Sequence, residues 1–309
     1  MSFLHAHLLG KFCVECGEQP LSGLSAKGQE LFYYLLFYQD RPHLRETLAD
    51  LLWDDRPASR SKDYLRKALW QLQACLEAHV EPTWEHVLLV DAEWIQINPA
   101  ADIWTDVAVL KHALRQVQGM PGRSLNVEHA QWLTRAVQLY RGELLEGCYT
   151  DWCLREREWC RFMFMTCLDK LLDYHTAQHD SQTGIFYGNR ILRYDRARER
   201  THRKLMHLYY LLGDRAGALR QYESCRTALR EELDIEPTQR TELLYRRILT
   251  EHSDRVPLFP LAQKSFTPLS PQATEVLSSL QEIQILLSRV QSQLTRVLED
   301  IEANSNSSI

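Results

Sequence analysis

The chain has 309 residues, 45% of them apolar and 25% charged, which is ordinary for globular protein and enough for two or three domains with cores of their own. No stretch reaches the roughly 18 uninterrupted apolar residues of a membrane span. The opening MSFLHAHLLGK lacks the basic start and long apolar run of a secretory signal, so a cytoplasmic chain with no membrane partner is expected. The net charge of −5 is unevenly spread: residues 1–106 carry nine Lys/Arg against 16 Asp/Glu, and residues 107–252 carry 23 against 19.

Residues 3–16 alternate and predict two short strands broken at Gly10-Lys11, with a third extended piece around Leu21 after the turn Gly17-Glu18-Gln19-Pro20. Cys13 and Cys16 lie in this segment. A structural zinc site needs four ligands, and neither a second Cys-x-x-Cys nor a His pair completes one, so no metal is expected. Ser25 is a candidate N-cap for a helix from Ala26 to Tyr38 that buries Leu31, Leu35 and Leu36, and Arg41-Pro42 ends it. A second helix from Arg45 to Trp53 buries Leu48, Leu51 and Leu52. A third, capped by Ser59 or Ser61 and running to Ala78, carries Leu65, Leu69, Leu72 and Leu76 at spacings of 4, 3 and 4. Residues 87–90 and 94–97 then read as strands around the tip Asp91-Ala92-Glu93. Strands, three helices and a hairpin are the order of a winged helix.

From Val107 to His252 the pattern is helical with short breaks. Leu171/Leu205, Leu172/Met206, Tyr174/Leu208, Gly184/Ala218, Ile185/Leu219 and Ile191/Cys225 are matched pairs 34 residues apart, the period of tetratricopeptide helix pairs. Such units cannot bury their faces alone and stack into a groove suited to partner proteins. Residues 253–272, with Pro257, Pro260, Pro268 and Pro271, read as a linker. Beyond Ala273, the residues Val276, Leu280, Ile283, Leu287, Val290, Leu294, Val297 and Ile301 repeat as a heptad seam, which predicts a coiled-coil oligomerisation helix over 273–303. A dimer is expected, with trimer and tetramer left open by the mixed seam and docking onto the repeat domain as the alternative; residues 304–309 form a disordered tail. The expected fold is therefore mostly α: an α+β winged helix over 1–106, a tetratricopeptide-like all-α repeat domain over 107–252, and a C-terminal coiled-coil helix.

Several blocks carry a further likeness. Leu139-Tyr140-Arg141-Gly142-Glu143-Leu144-Leu145-Glu146-Gly147, Asp151-Trp152-Cys153-Leu154-Arg155-Glu156-Arg157, Gly213-Asp214-Arg215-Ala216-Gly217-Ala218-Leu219 and Glu232-Leu233-Asp234-Ile235-Glu236-Pro237 occur in this order. With them the chain resembles, over residues 3–250, the Streptomyces antibiotic regulatory protein family, which pairs a response-regulator-type winged helix with a bacterial transcriptional activation domain. The resemblance implies a non-enzymatic activator that binds promoter direct repeats in double-stranded DNA and contacts RNA polymerase, with no cofactor. Two features depart from the family pattern: Trp70-Gln71-Leu72-Gln73-Ala74 stands where relatives have an arginine-rich end to the recognition helix, and the wing tip is acidic.

Stepping 100° per residue from the leucine stripe of the third helix turns Arg60, Lys67, Trp70 and Gln71 outward with Arg66 on the flank. These are the candidate DNA-binding residues, because their donors suit base edges and phosphates in the major groove. The acidic balance of residues 1–106 favours the alternative, a helical-repeat scaffold or sensor whose winged helix binds protein with little DNA affinity. No nucleophile–base pair or phosphate loop points to an enzyme.

Overall fold

The computed structural model describes residues 4–17, 19–53, 57–79 and 87–250. The predicted linker, coiled-coil seam and tail lie outside the described residues.

Alternation builds the first sheet. Leu4 and Ala6 of β1 (Leu4–His7) and Val14 and Cys16 of β2 (Cys13–Cys16) point into the core, while Glu15 faces solvent. Cys13, the other member of the pair, is only half-buried on the opposite face. The two strands pair antiparallel with Leu4 opposite Cys16, and β3 (Gln19–Pro20) extends the far edge. Helix α1 (Ala26–Phe37) starts where the Ser25 hydroxyl accepts the Gly28 N–H, and it is buried on most of its circumference by Leu31, Phe32, Leu35 and Leu36. A two-residue strand, β4 (His43–Leu44), leads straight into α2 (Arg45–Leu52).

Helix α3 (Ala58–His79) comes next, and Ser61 in its first turn donates to the Trp53 carbonyl at 3.2 Å, tying it to the end of α2. Leu65, Leu69, Leu72 and Leu76 are all buried, as their spacing predicts. The hairpin of β5 (Leu88–Val90) and β6 (Trp94–Ile97) takes β4 on its free edge, giving the order β4-β6-β5. The chain then returns through β7 (Ile103–Thr105), which pairs parallel with β1 and completes the sheet β3-β2-β1-β7. Local sequence patterns predict neither β4 nor β7.

Beyond β7, seven helices lie among the described residues: α4 (Asp106–Gln116), α5 (Val127–Leu139), α6 (Asp151–Ala177), α7 (Ser181–Tyr194), α8 (Glu199–Leu211), α9 (Arg215–Leu233) and α10 (Gln239–Thr250), with a 3-10 turn at Gly122–Ser124. The 34-residue repeat is visible in the backbone as well as the core. His179 and Gly213 both take left-handed φ values, 58° and 77°. The next residues, Asp180 and Asp214, cap α7 and α9 through the N–H groups of Thr183 (3.1 Å) and Gly217 (2.7 Å). Ala218 is fully buried with Met206, Tyr222 and Ile248. Ala218→Leu in the full chain is expected to cost about 1–3 kcal/mol by overpacking, seen as a lower melting temperature. An unchanged melting temperature would show that α8 and α9 do not cross at this residue.

Candidate nucleic-acid interface

The face of α3 opposite its leucines carries the predicted residues. Arg60, Arg66, Lys67 and Trp70 are exposed, Trp70 at 68%, and Gln71 is half-buried. Local contacts hold this face in place. Lys62 pairs with Glu46 of α2 at 2.5 Å, and the Cys75 thiol donates to the Ser22 carbonyl. Gln71 is held as well: the Ser25 hydroxyl donates to its Oε1 at 2.9 Å, so the donor it can offer a ligand is its amide nitrogen. Arg66 pairs with Asp63 at 3.3 Å, both side chains largely in solvent. A pair of that kind contributes little and exchanges readily for a phosphate.

The wing is acidic in sequence, but the Asp91 carboxylate holds its tip together. Asp91 Oδ1 accepts the N–H groups of Glu93 (2.8 Å) and Trp94 (2.6 Å), which closes the hairpin tip and holds the Asp91 carboxyl below its ordinary range. Arg45 at the start of α2 donates its backbone N–H to the Glu93 carbonyl and its guanidinium to the Asp91 carbonyl, both at close to 2.9 Å. A cation therefore sits at the wing tip, which reading the strands alone misses because Arg45 is 46 residues away in sequence. The outer face of the wing sheet bears exposed Leu44, Leu89 and Trp94, with Leu44 directly opposite Trp94. Period-2 alternation along Leu88–Val90 and Trp94–Ile97 could have placed Leu89 and Trp94 there; Leu44 needed β4.

Buried hydrogen bonds join the winged helix to the helices behind it. Asp106, fully buried at the start of α4, accepts the backbone N–H groups of Leu8 and Leu9 at 2.9 Å, and that of Val107 at 2.8 Å. Burial pushes its carboxyl above the ordinary range, and these donors together with His7 pull it back. The loop between α5 and α6 lies along the end of β1. Leu9 bridges to Leu144, Leu145 N–H donates to the Leu8 carbonyl, and Gly10 N–H donates to the Glu143 carbonyl. Gly10 has φ +106°, which favours glycine there, and a Cβ on Gly142 would come within 3.1 Å of the Gly10 Cα, so the close approach favours glycine at 142 as well. Buried Arg157 of α6 then gathers the loop, donating to the carbonyls of Leu144, Leu145 and Cys148 at 2.8–3.1 Å. Trp152 meets Tyr34 of α1 edge-on. The blocks Leu139–Gly147 and Asp151–Arg157 thus serve the seam between the two parts.

Among the described residues, no helix is long and apolar enough to cross a membrane. No curated protein matches the chain. Among solved structures it is similar to Mycobacterium tuberculosis EmbR in complex with a low-affinity phosphopeptide, at 20% identity and a TM-score of 0.60, over 81% of this chain. The match takes in 65% of the EmbR chain, just under two thirds of its length, and shows a common fold. The family model for the bacterial transcriptional activator domain matches residues 105–249, the helical part from the end of β7 to α10. Residues 105–249 thus form a bacterial transcriptional activator domain, one of the two domains paired in the family that the sequence resembles.

Proposed function

We propose that the protein is a cytoplasmic transcription activator that binds promoter direct repeats in double-stranded DNA and contacts RNA polymerase, with no catalytic step. In this reading residues 1–106 bind DNA, residues 107–252 act on the polymerase, and residues 273–303 hold a homo-oligomer, a dimer first, through the seam from Val276 to Ile301. The observation that carries it is the outward face of α3, where Arg60, Arg66, Lys67, Trp70 and Gln71 stand on a helix packed against α1 and α2. Such a face fits the major groove, with the cations on phosphates and the Gln71 amide and Arg60 as candidate base readers.

A gel shift of the full chain on promoter fragments at two salt concentrations tests it, because phosphate contacts must weaken with salt. Arg60→Ala and Lys67→Ala are each expected to weaken binding and to lower the salt slope by about one unit, with the melting temperature nearly unchanged, since neither side chain packs in the core. If both bind as the parent does, α3 is not the recognition helix. A second reading, a repeat scaffold whose winged helix binds protein, is favoured by the apolar patch of Leu44, Leu89 and Trp94 on the wing sheet. DNA affinity that is absent or insensitive to salt would select it.

Oligomerisation is read separately. Removal of residues 273–309 is expected to halve the mass seen by light scattering, or to reduce it further for a higher oligomer. It should also weaken binding to a two-site operator through lost effective concentration. A full chain that is already monomeric would exclude the proposed assembly.

A further inference from the structure

We propose that the cleft between the C-terminal end of α1 and helices α4 and α6 binds a small organic anion with an aromatic body, an effector seated on the seam of the two domains. The cleft has a volume of about 610 Å³, in the range of small-molecule sites. Its walls come from both parts of the protein: residues 36–41 from the winged helix, one face of α4 with Lys111 and Arg115, and one face of α6 with Glu156, Trp159 and Met163.

Charge selects the ligand. Lys111 is half-buried, stands 4.0 Å over the Phe37 ring and donates to the Phe37 carbonyl at 2.9 Å, which uses one of its three N–H groups. No carboxylate among the described residues forms an ion pair with it, and burial draws its pKa below the ordinary lysine range. The carboxylates of Asp40 and Glu156 act on it only through space, and Glu156 is engaged by the Tyr38 hydroxyl. Arg115 lies one turn along α4 from Lys111, and with Arg41 the two make three cations against the carboxylates of Asp40 and Glu156 in the cleft wall, an excess of positive charge. Leu36, Leu114, Met163 and half-exposed Trp159 provide the apolar and aromatic surface for the rest of the molecule.

An occupant would touch α1, α4 and α6 together. It would therefore favour whichever setting of the winged helix on the activator domain fits it best. Binding here needs no DNA, so it stands or falls separately from the α3 assignment.

The test uses the full-length protein and the fluorescent probe anilinonaphthalene sulfonate. One saturable site per chain is expected. Arg115→Glu at the rim should weaken it by about tenfold or more with the melting temperature unchanged. Ala108→Trp, which fills the cleft from α4, should abolish it, and Trp94→Ala on the distant wing sheet should leave it intact. Naphthoate should displace the probe, while the neutral naphthalene methanol should not. Absence of a saturable site, or binding untouched by both cleft variants, would overturn the proposal. Equal displacement by the neutral alcohol would overturn the assignment of an anion.

Discussion

Asp106→Ala is expected to destabilise the full chain by about 3 kcal/mol or more, because it strands the buried backbone donors of Leu8 and Leu9 and removes a carboxylate from the first turn of α4. The carboxylate accepts from Leu8 with both oxygens, from Leu9 with Oδ2 and from Val107 with Oδ1, and the site is closed to water. Nothing else nearby can replace it, since Leu8 and Leu9 lie past the end of β1 where the sheet ladder has stopped. Asp106→Asn keeps one acceptor oxygen and turns an amide toward the remaining donors, so a smaller loss of about 1–3 kcal/mol is expected. Denaturant titration of both variants reads the effect as a lower midpoint with the slope retained. An unchanged midpoint for the alanine variant would mean that Leu8 and Leu9 find other acceptors.

Arg157→Met comes next, with a loss of about 2–4 kcal/mol. Methionine keeps the apolar stem in the core, so the change isolates the guanidinium and its bonds to Leu144, Leu145 and Cys148. The Leu145 carbonyl also accepts from Cys148 N–H, which limits the cost there. Lysine cannot span three carbonyls with one ammonium, and Arg157→Lys should recover less than half of the lost stability. Limited proteolysis should show residues 140–150 opening first. Resistance equal to the parent's would show that the backbone contacts with β1 suffice alone.

Much of the fold was legible because it rests on short periods. The leucine spacing of α3, the hairpin around Asp91 and the 34-residue repeat are local patterns, and each of their faces is where the residues place it. The strands β4 and β7 were not legible. Each is two or three residues long and exists only through partners far away: His43 and Leu44 pair with Ile95 and Trp94, and Ile103–Thr105 with Leu4–Ala6. No window of sequence contains that information. The candidate interface divides the same way. Which α3 residues point outward follows from 100° steps, whereas the Ser25 bond to Gln71 and the Arg45 clamp on the wing tip depend on tertiary placement. His175 depends on tertiary placement in the same way: it is half-buried, with its Nδ1 3.1 Å from the Asp180 carboxylate and its ring stacked on Tyr187.

Thr105 ends β7, and its hydroxyl accepts the Ala108 N–H that begins α4, so no residue separates the winged helix from the helical domain. In mechanical terms the joint is a short one, and it lets the protein act as a ruler. For a DNA-bound activator this turns operator phase into an output. Shifting the site by half a helical repeat, about 5 base pairs, would carry the helical domain to the opposite side of the duplex, and about 10 would bring it back. A tethered domain would blur that periodicity; a ruler keeps it sharp.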